Sequence, residues 1–392
     1  MATEFKPRVV CLYGNGPEPL AVRVACALRD SGEFDSTLVY WIRENSNVLL
    51  ELSKDLGDMP VEGVRWPVGR SMVMKVANRF VALFLLARVV LRSRPDVIHA
   101  WNFDMFLCAV VASILSLRRI RVMAMLQDTS EWMLKWWAKP VQKVMYALVD
   151  EIFVTSQGFT DCMLRKFGLV DPGRLVRYLP NVPSENRFSC FEPKIWSGSL
   201  TVGYIGMIRG KEGVDTLVEA VDIARQRGCC VRALFAGRGI LSPHAEELSR
   251  RTEAVDFAGV YDHSEIEKIY AQVDVIYGMY DRSYDKKIHL AYRFCEAMNC
   301  GIPIVCAEGS YMGKLVAEDR TGFAVPLGDA TALADLFCSL FNKPELLQRA
   351  SLAMSAHREE YRFESYQEMV IDAVKKTAAK AKRVSVNQEK PA

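Results

Sequence analysis

Apolar positions along the chain recur in two alternating registers. Short runs of β-branched and aromatic residues give way to longer stretches in which apolar residues return every three or four positions, as in Asp215 to Arg227. The first register is that of a buried strand and the second that of an amphipathic helix. In the first half the strand-like runs are RVVCLY, STLVYWI, DVIHAW, RVMAML, EIFVTS and LVRYLP. A second series follows with LTVGYIG, VRALFAG, AVDFAGV, VDVIYGM, IPIVCAE and GFAVPL. Such alternation predicts α/β architecture with parallel sheets covered by helices on both faces.

Between the two series NVPSENRFSCFEPKIWSGS is polar, carries prolines and has no periodicity, so it reads as a linker. The predicted organisation is a Rossmann-like domain over residues 1–185, a linker 186–199 and a second Rossmann-like domain 200–365. A helix over 366–380, packing back toward the first domain, and a flexible tail 381–392 complete it. A chain of 392 residues suits two domains, since single cores stop growing beyond about 250–300 residues.

Composition narrows the classes. Half of the residues are hydrophobic (50%) and a quarter charged (25%), as in folded globular chains. A net charge of +3 gives no bulk argument for a nucleic-acid partner. Eleven cysteines without C-x-x-C pairs and five histidines offer no zinc constellation and suit a reducing, cytoplasmic setting. The N-terminus lacks the basic and apolar regions of a secretory signal, so the mature chain is expected to begin near Met1. The most apolar stretch, Met72 to Leu91, is interrupted by Lys75, Arg79 and Arg88. It falls short of the roughly 20 apolar residues of a membrane span. Lys135, Lys139 and Lys143, with Trp132, Trp136 and Trp137 among them, form a basic aromatic face of the kind found at lipid interfaces. Core packing beneath a solvated lysine face is the other reading of that segment.

Open α/β sheets bind ligands outside the carboxyl ends of their strands, so the turns leaving strands hold the candidates. The strongest pattern is RFCEAMNCGIPIV from Arg293 to Val305, a helix with one acid, Glu296, stopped by Gly301 and Pro303 before a buried strand. Upstream lies a glycine-rich turn with cations, GMIRGKEG from Gly206 to Gly213. Together with Phe257–Val260, Tyr270–Asp274 and Thr321–Pro326, these segments resemble glycosyltransferase family 4, whose signature is [K/R]-x-x-E-A-M-x-x-G-x-P-[I/V]-V. The first half resembles it more weakly, through Asp96–His99, Ser156 and Leu179–Pro183.

That resemblance implies the GT-B fold, two doubly wound parallel-sheet domains facing a cleft, and a retaining sugar transferase. It implies a UDP- or GDP-linked donor as substrate, no cofactor, no metal, and a glycan, lipid-linked or small-molecule acceptor. Glu296 would accept hydrogen bonds from the donor ribose, with Arg293 beside it. Arg209 and Lys211 would stabilise charge on the leaving diphosphate, which the Gly206 backbone can approach. Gly14 and Gly16 form a similar turn after the first strand, and His99 would touch the donor sugar or its phosphate unless it is a core histidine. Asp128 and Glu131 are candidate acceptor contacts or a helix capping box. The family's second acid, eight residues before Glu296, is here Ile288; Asp281 or Asp285 is a candidate substitute. Relatives carry histidine where this chain has Trp101. Two other functions stay open: a non-hydrolysing nucleotide-sugar epimerase, and a scaffold protein with a decayed donor site. The expected location is cytoplasmic, at the inner face of a membrane if the basic aromatic face is used.

Overall fold

Strand β1 (Arg8–Tyr13) pairs in parallel with β2 (Asp35–Ile42) on one side and β4 (Val97–Trp101) on the other. Around them a computed structural model builds a seven-stranded sheet in the order β3-β2-β1-β4-β5-β6-β7, parallel throughout. The remaining strands are β3 (Val61–Arg65), β5 (Arg121–Leu126), β6 (Glu151–Val154) and β7 (Val176–Tyr178). The structure describes residues 6–14, 19–42, 56–67, 71–117, 119–127, 135–165, 168–171, 175–184, 188, 198–261, 265–279 and 288–388. The sequence pattern missed β3. Only Val64 of its five residues is buried, so this edge strand lacks the apolar run that marks its neighbours.

Helix α1 (Pro19–Asp30) connects β1 to β2, whereas α2 (Met72–Ser93), α3 (Asn102–Leu115) and α4 (Ala138–Ala147) lie on connections running the other way across the sheet. Right-handed crossovers therefore put α2, α3 and α4 on one face and α1 on the opposite one. Arg79 of α2 pairs with Asp104 of α3 at 3.2 Å, and the Cys108 thiol reaches the Leu83 carbonyl at 3.7 Å. Each contact advances by four residues on both helices, so α2 and α3 run side by side in the same direction. Tyr146 of α4 stacks on Phe106 of α3 with ring centroids 5.4 Å apart.

The second sheet has six strands in the order β10-β9-β8-β11-β12-β13, again all parallel. They are β8 (Leu200–Ile205), β9 (Val231–Ala236), β10 (Val255–Gly259), β11 (Val275–Tyr277), β12 (Ile304–Ala307) and β13 (Gly322–Val325). Its helices are α5 (Lys211–Gln226), α6 (Ser242–Arg251), α7 (Ile266–Ala271), α8 (Tyr292–Cys300), α9 (Tyr311–Asp319), α10 (Ala330–Asn342) and α11 (Glu345–His357). The core between α5, α10 and the sheet is built from Val214, Leu217, Val221, Phe235, Leu333 and Phe337.

The chain divides into a unit of Met1–Pro180 with Tyr366–Ala392 and a unit of Asn181–Ser365. Helix α12 (Glu364–Gln388) thus joins the first unit from Tyr366 onward, where Lys375 pairs with Glu33 at 2.8 Å and Tyr366 meets Tyr178 edge-on. Most of the expected linker lies outside the described residues, but Phe188 is buried against Tyr270, with centroids 5.9 Å apart. The helix expected to stop near Lys380 continues to Gln388. Alanine, lysine and arginine in AKAKRV are good helix formers, so the helix runs on through this stretch.

Candidate functional site

Strand order in the second sheet reverses between β8 and β11, since the connections from β8 run toward one edge and those from β11 toward the other. Such a switch point opens a crevice at the carboxyl ends of the two strands. The turn Gly206–Gly210 leaves β8 there and leads into α5, while α8 follows β11. Gly206 has φ 104°, which side-chain-bearing residues rarely adopt. Its N–H donates to the Ala236 carbonyl at 2.8 Å and the Ile208 N–H donates to the Arg238 carbonyl at 3.0 Å. A Cβ on Gly237 would lie 1.9 Å from the Gly206 oxygen, and one on Gly239 would lie 2.0 Å from the Ile208 oxygen. The turns after β8 and β9 therefore pack backbone against backbone. Helix α5 has Gly210 as its N-cap, a residue with no side chain to accept from the first N–H groups. Its first N–H groups have no intrahelical acceptors, and the helix dipole adds partial positive charge, as an anion site requires.

Arg293 and Glu296 stand three residues apart on α8, hence on one face, and both are buried. The Arg293 guanidinium lies 4.6 Å from the centroid of the Tyr204 ring and makes long hydrogen bonds to the Tyr277 carbonyl (3.5 Å) and the Met207 carbonyl (3.4 Å). It is the group nearest to a Cβ placed on Gly206, at 3.4 Å, so it supports the turn from beneath. Glu296 accepts a hydrogen bond from the Tyr270 hydroxyl at 3.0 Å. Burial, and then the Glu296 charge, hold the Tyr270 phenol well above its ordinary pKa, so it remains a donor. A buried carboxylate held in one orientation is a good acceptor for paired hydroxyls.

The two expected phosphate cations differ in their surroundings. Arg209 is exposed at the turn, its guanidinium against the Met207 sulfur. Lys211 is paired with Asp215 one turn along α5, and His244 of α6 reaches the same carboxylate at 2.7 Å. Burial raises the Asp215 carboxyl, but the hydrogen bonds from Lys211 and His244 outweigh it and the net shift is downward. Ile288, at the family's second acid position, is buried with 3% of its surface exposed. Asp281 and Asp285 lie outside the described residues, as do Gly16, Asp128 and Glu131. Among the described residues no group of three or more His, Cys, Asp or Glu side chains is placed to hold a metal.

In the first sheet the order reverses between β1 and β4. Gly14 follows β1 there, and a Cβ on it would come within 3.0 Å of Met105, so a larger residue would press on α3. His99 corrects the expectation of a sugar contact. It is fully buried in central strand β4 between Trp101 (5.1 Å) and Phe153 (5.5 Å), and neither ring nitrogen has a hydrogen-bond partner among the described residues. Trp101 is equally buried, so its indole offers no stacking surface. A central parallel strand is covered on both faces, and His99 is the middle residue of this one.

Burial drives the His99 pKa from 6.5 down to about 3. Below pH 6.5 the unfolded chain takes up a proton that the folded chain refuses, so this residue removes stability as the pH falls from 6.5 toward 3. Between pH 7 and pH 5 the loss should be about 2 kcal/mol. His99→Phe should abolish that component, which denaturant titrations of both proteins at the two pH values would read.

Sequence reasoning did not single out Tyr204, Gly237 or Gly239, and it named Tyr270 only within the family-like segment Tyr270–Asp274. Glycine at alternate positions in AGRG was the available signal for the second turn; nothing local marks Tyr204, whose role depends on Arg293.

This arrangement coincides with matches to known families. The pattern described as "Glycosyl transferases group 1" matches residues 199–343, and that described as "Glycosyltransferase Family 4" matches residues 15–181. The chain belongs to glycosyltransferase family 4. It is similar to the amylovoran biosynthesis glycosyltransferase AmsK of Erwinia amylovora, 25% identical over 140 residues, 35% of this chain and 34% of that protein. It also resembles the alpha-D-kanosaminyltransferase of Streptomyces kanamyceticus, 26% identical over 149 residues, 37% of each chain. The matches span about a third of the length of these curated relatives. Among solved structures, Anabaena Alr3699/HepE in complex with UDP and glucose shares the GT-B fold, with a TM-score of 0.68 at 15% identity, covering 94% of this chain and 100% of that one. The α/β GT-B architecture of this family 4 member follows from its two parallel sheets.

Proposed function

We propose that this family 4 protein is a retaining glycosyltransferase that moves a hexosyl-type sugar from a nucleoside-diphosphate donor, UDP-linked in the first instance, to a glycan, lipid-linked or small-molecule acceptor. The observation that carries the reading is the buried Arg293–Glu296 pair under the Gly206 turn at the switch point of the second sheet. In this reading the ribose hydroxyls donate to Glu296, while the diphosphate meets the uncapped start of α5 together with Arg209 and Lys211. Lys211 exchanges Asp215 for phosphate when the donor binds. The anomeric carbon–phosphate oxygen bond breaks as the acceptor oxygen bonds to the same face of the sugar, and the acceptor proton passes to the leaving phosphate oxygen. The chain's own contribution is positioning and stabilisation of the diphosphate charge by cations and N–H groups, which we read as metal-independent. UDP is favoured over GDP by the fold shared with HepE, a protein solved with UDP and glucose. AmsK, a glycosyltransferase named for the biosynthesis of amylovoran, favours a biosynthetic role, and a lipid-linked acceptor would be met at a membrane surface.

Thermal unfolding with UDP, GDP, dTDP and ADP tests the donor site. A diphosphate at about a hundred times its dissociation constant adds roughly 2.7 kcal/mol to stability, a shift of several degrees for a unit of this size. UDP is expected to give the largest shift. No shift with any of the four would remove the donor site from the proposal.

A further inference from the structure

The helical layer α2–α4 on one face of the first sheet leaves its outer side unusually apolar. Phe80 and Phe84 of α2 are each 69% exposed, Leu115 at the end of α3 is 65% exposed, and Trp136, just before α4, is 84% exposed. Most of the exposed large apolar side chains among the described residues belong to these three helices and their ends. Among the described side chains of α2 only Ala82, Leu86 and Val90 are buried, one turn apart. The opposite side of the helix carries Val76, Phe80, Phe84, Arg88 and Arg92 in four-residue steps, an apolar end continuing into a basic one.

Charge identifies what would cover such a face. Neither α2 nor α4 contains an acidic residue, while α2 supplies Lys75, Arg88 and Arg92 and α4 supplies Lys139 and Lys143. Asp104 of α3 is engaged by Arg79. We infer that the outer side of α2–α4 is a docking surface for an anionic phospholipid bilayer, with the phenylalanine and tryptophan rings entering the interfacial layer and the cations meeting lipid phosphates. A second copy of the chain fits less well, because a symmetric contact would set cations against cations. Among the described residues no helix is long and apolar enough to cross a membrane, so the contact is one of lying on the surface. The inference deepens the lipid-linked acceptor reading and rests on it for its purpose, though the donor site plays no part in the contact.

Co-sedimentation of the full chain with vesicles of phosphatidylcholine, alone or mixed with phosphatidylglycerol, tests it. Binding to the anionic vesicles should exceed binding to the neutral ones at least tenfold and weaken as salt rises from about 0.05 M to about 0.5 M. Phe80→Ser with Phe84→Ser, and separately Arg88→Gln with Arg92→Gln, should each reduce it about tenfold, whereas Arg88→Lys with Arg92→Lys should retain it. These side chains are exposed, so the melting point and the UDP-induced shift of each variant should match the wild type. Absence of binding to anionic vesicles, or undiminished binding by both double variants, overturns the inference. Self-association without vesicle binding, lost in the same variants, also overturns it and assigns the face to a second copy. Vesicle failure with an intact UDP shift leaves the donor reading standing, and the converse result removes only the donor reading.

Discussion

Glu296→Gln is expected to lower kcat/KM for the nucleotide-sugar donor by roughly a hundred- to a thousandfold with little change in stability. Hydrogen bonds to a charged acceptor contribute about 1.5–3 kcal/mol each, and the amide replaces one charged oxygen by a donor that faces the ribose hydroxyls unfavourably. The remaining amide oxygen can still accept from Tyr270, whose hydroxyl donates to Glu296 at 3.0 Å. Glu296→Ala should show the same catalytic loss and a second effect. Its buried tyrosine hydroxyl loses that acceptor, which costs about 1–3 kcal/mol. Donor kinetics and urea unfolding of the two variants separate the contributions, and a Gln variant of wild-type activity would remove Glu296 from the donor site.

Gly237→Ala should have the largest effect on stability. The new Cβ would stand 1.9 Å from the Gly206 carbonyl oxygen, and the residue has φ 129°. Both partners are backbone held by adjacent parallel strands, so no side chain can swing away. Combining backbone strain with overpacking gives roughly 3–5 kcal/mol. The displaced turn carries Gly206, so UDP affinity should fall with it. Gly210→Ala is the control: among the described residues nothing lies within 4 Å of its Cβ, and its φ is −86°. That change should stay within about 1 kcal/mol. Hydrogen exchange in β8 and β9 reads the loss directly, and equal protection in the two variants would show that the turns are not locked together as described.

How legible each feature was depends on the range of the interaction that creates it. Central strands such as β1, β4 and β8 were readable because a strand buried on both faces must be apolar throughout. Edge strand β3 was not, because one buried valine leaves no pattern. Arg293 and Glu296 were readable as neighbours from helical spacing alone. Lys211 was readable as a cation near the turn, yet the Asp215 carboxylate it pairs with is shared with His244 of a separate helix, and only the local Lys211–Asp215 half of that contact has a sequence signature. His99 was legible only as a choice between a sugar contact and the core, and Trp101 and Phe153, which close over it, decide for the core.

By itself the sequence determined two series of buried strands and helices, the glycine turn after β8, and an acid and a cation on one face of α8, because periodicity and turn chemistry are local properties of the chain. Tertiary structure alone decided that Tyr270 holds Glu296, that Gly237 must be glycine to pass Gly206, that His99 is core, and that α2–α4 leave a basic, aromatic face uncovered. Burial and pairing depend on neighbours brought together from distant segments, and no local pattern encodes which side chains those will be.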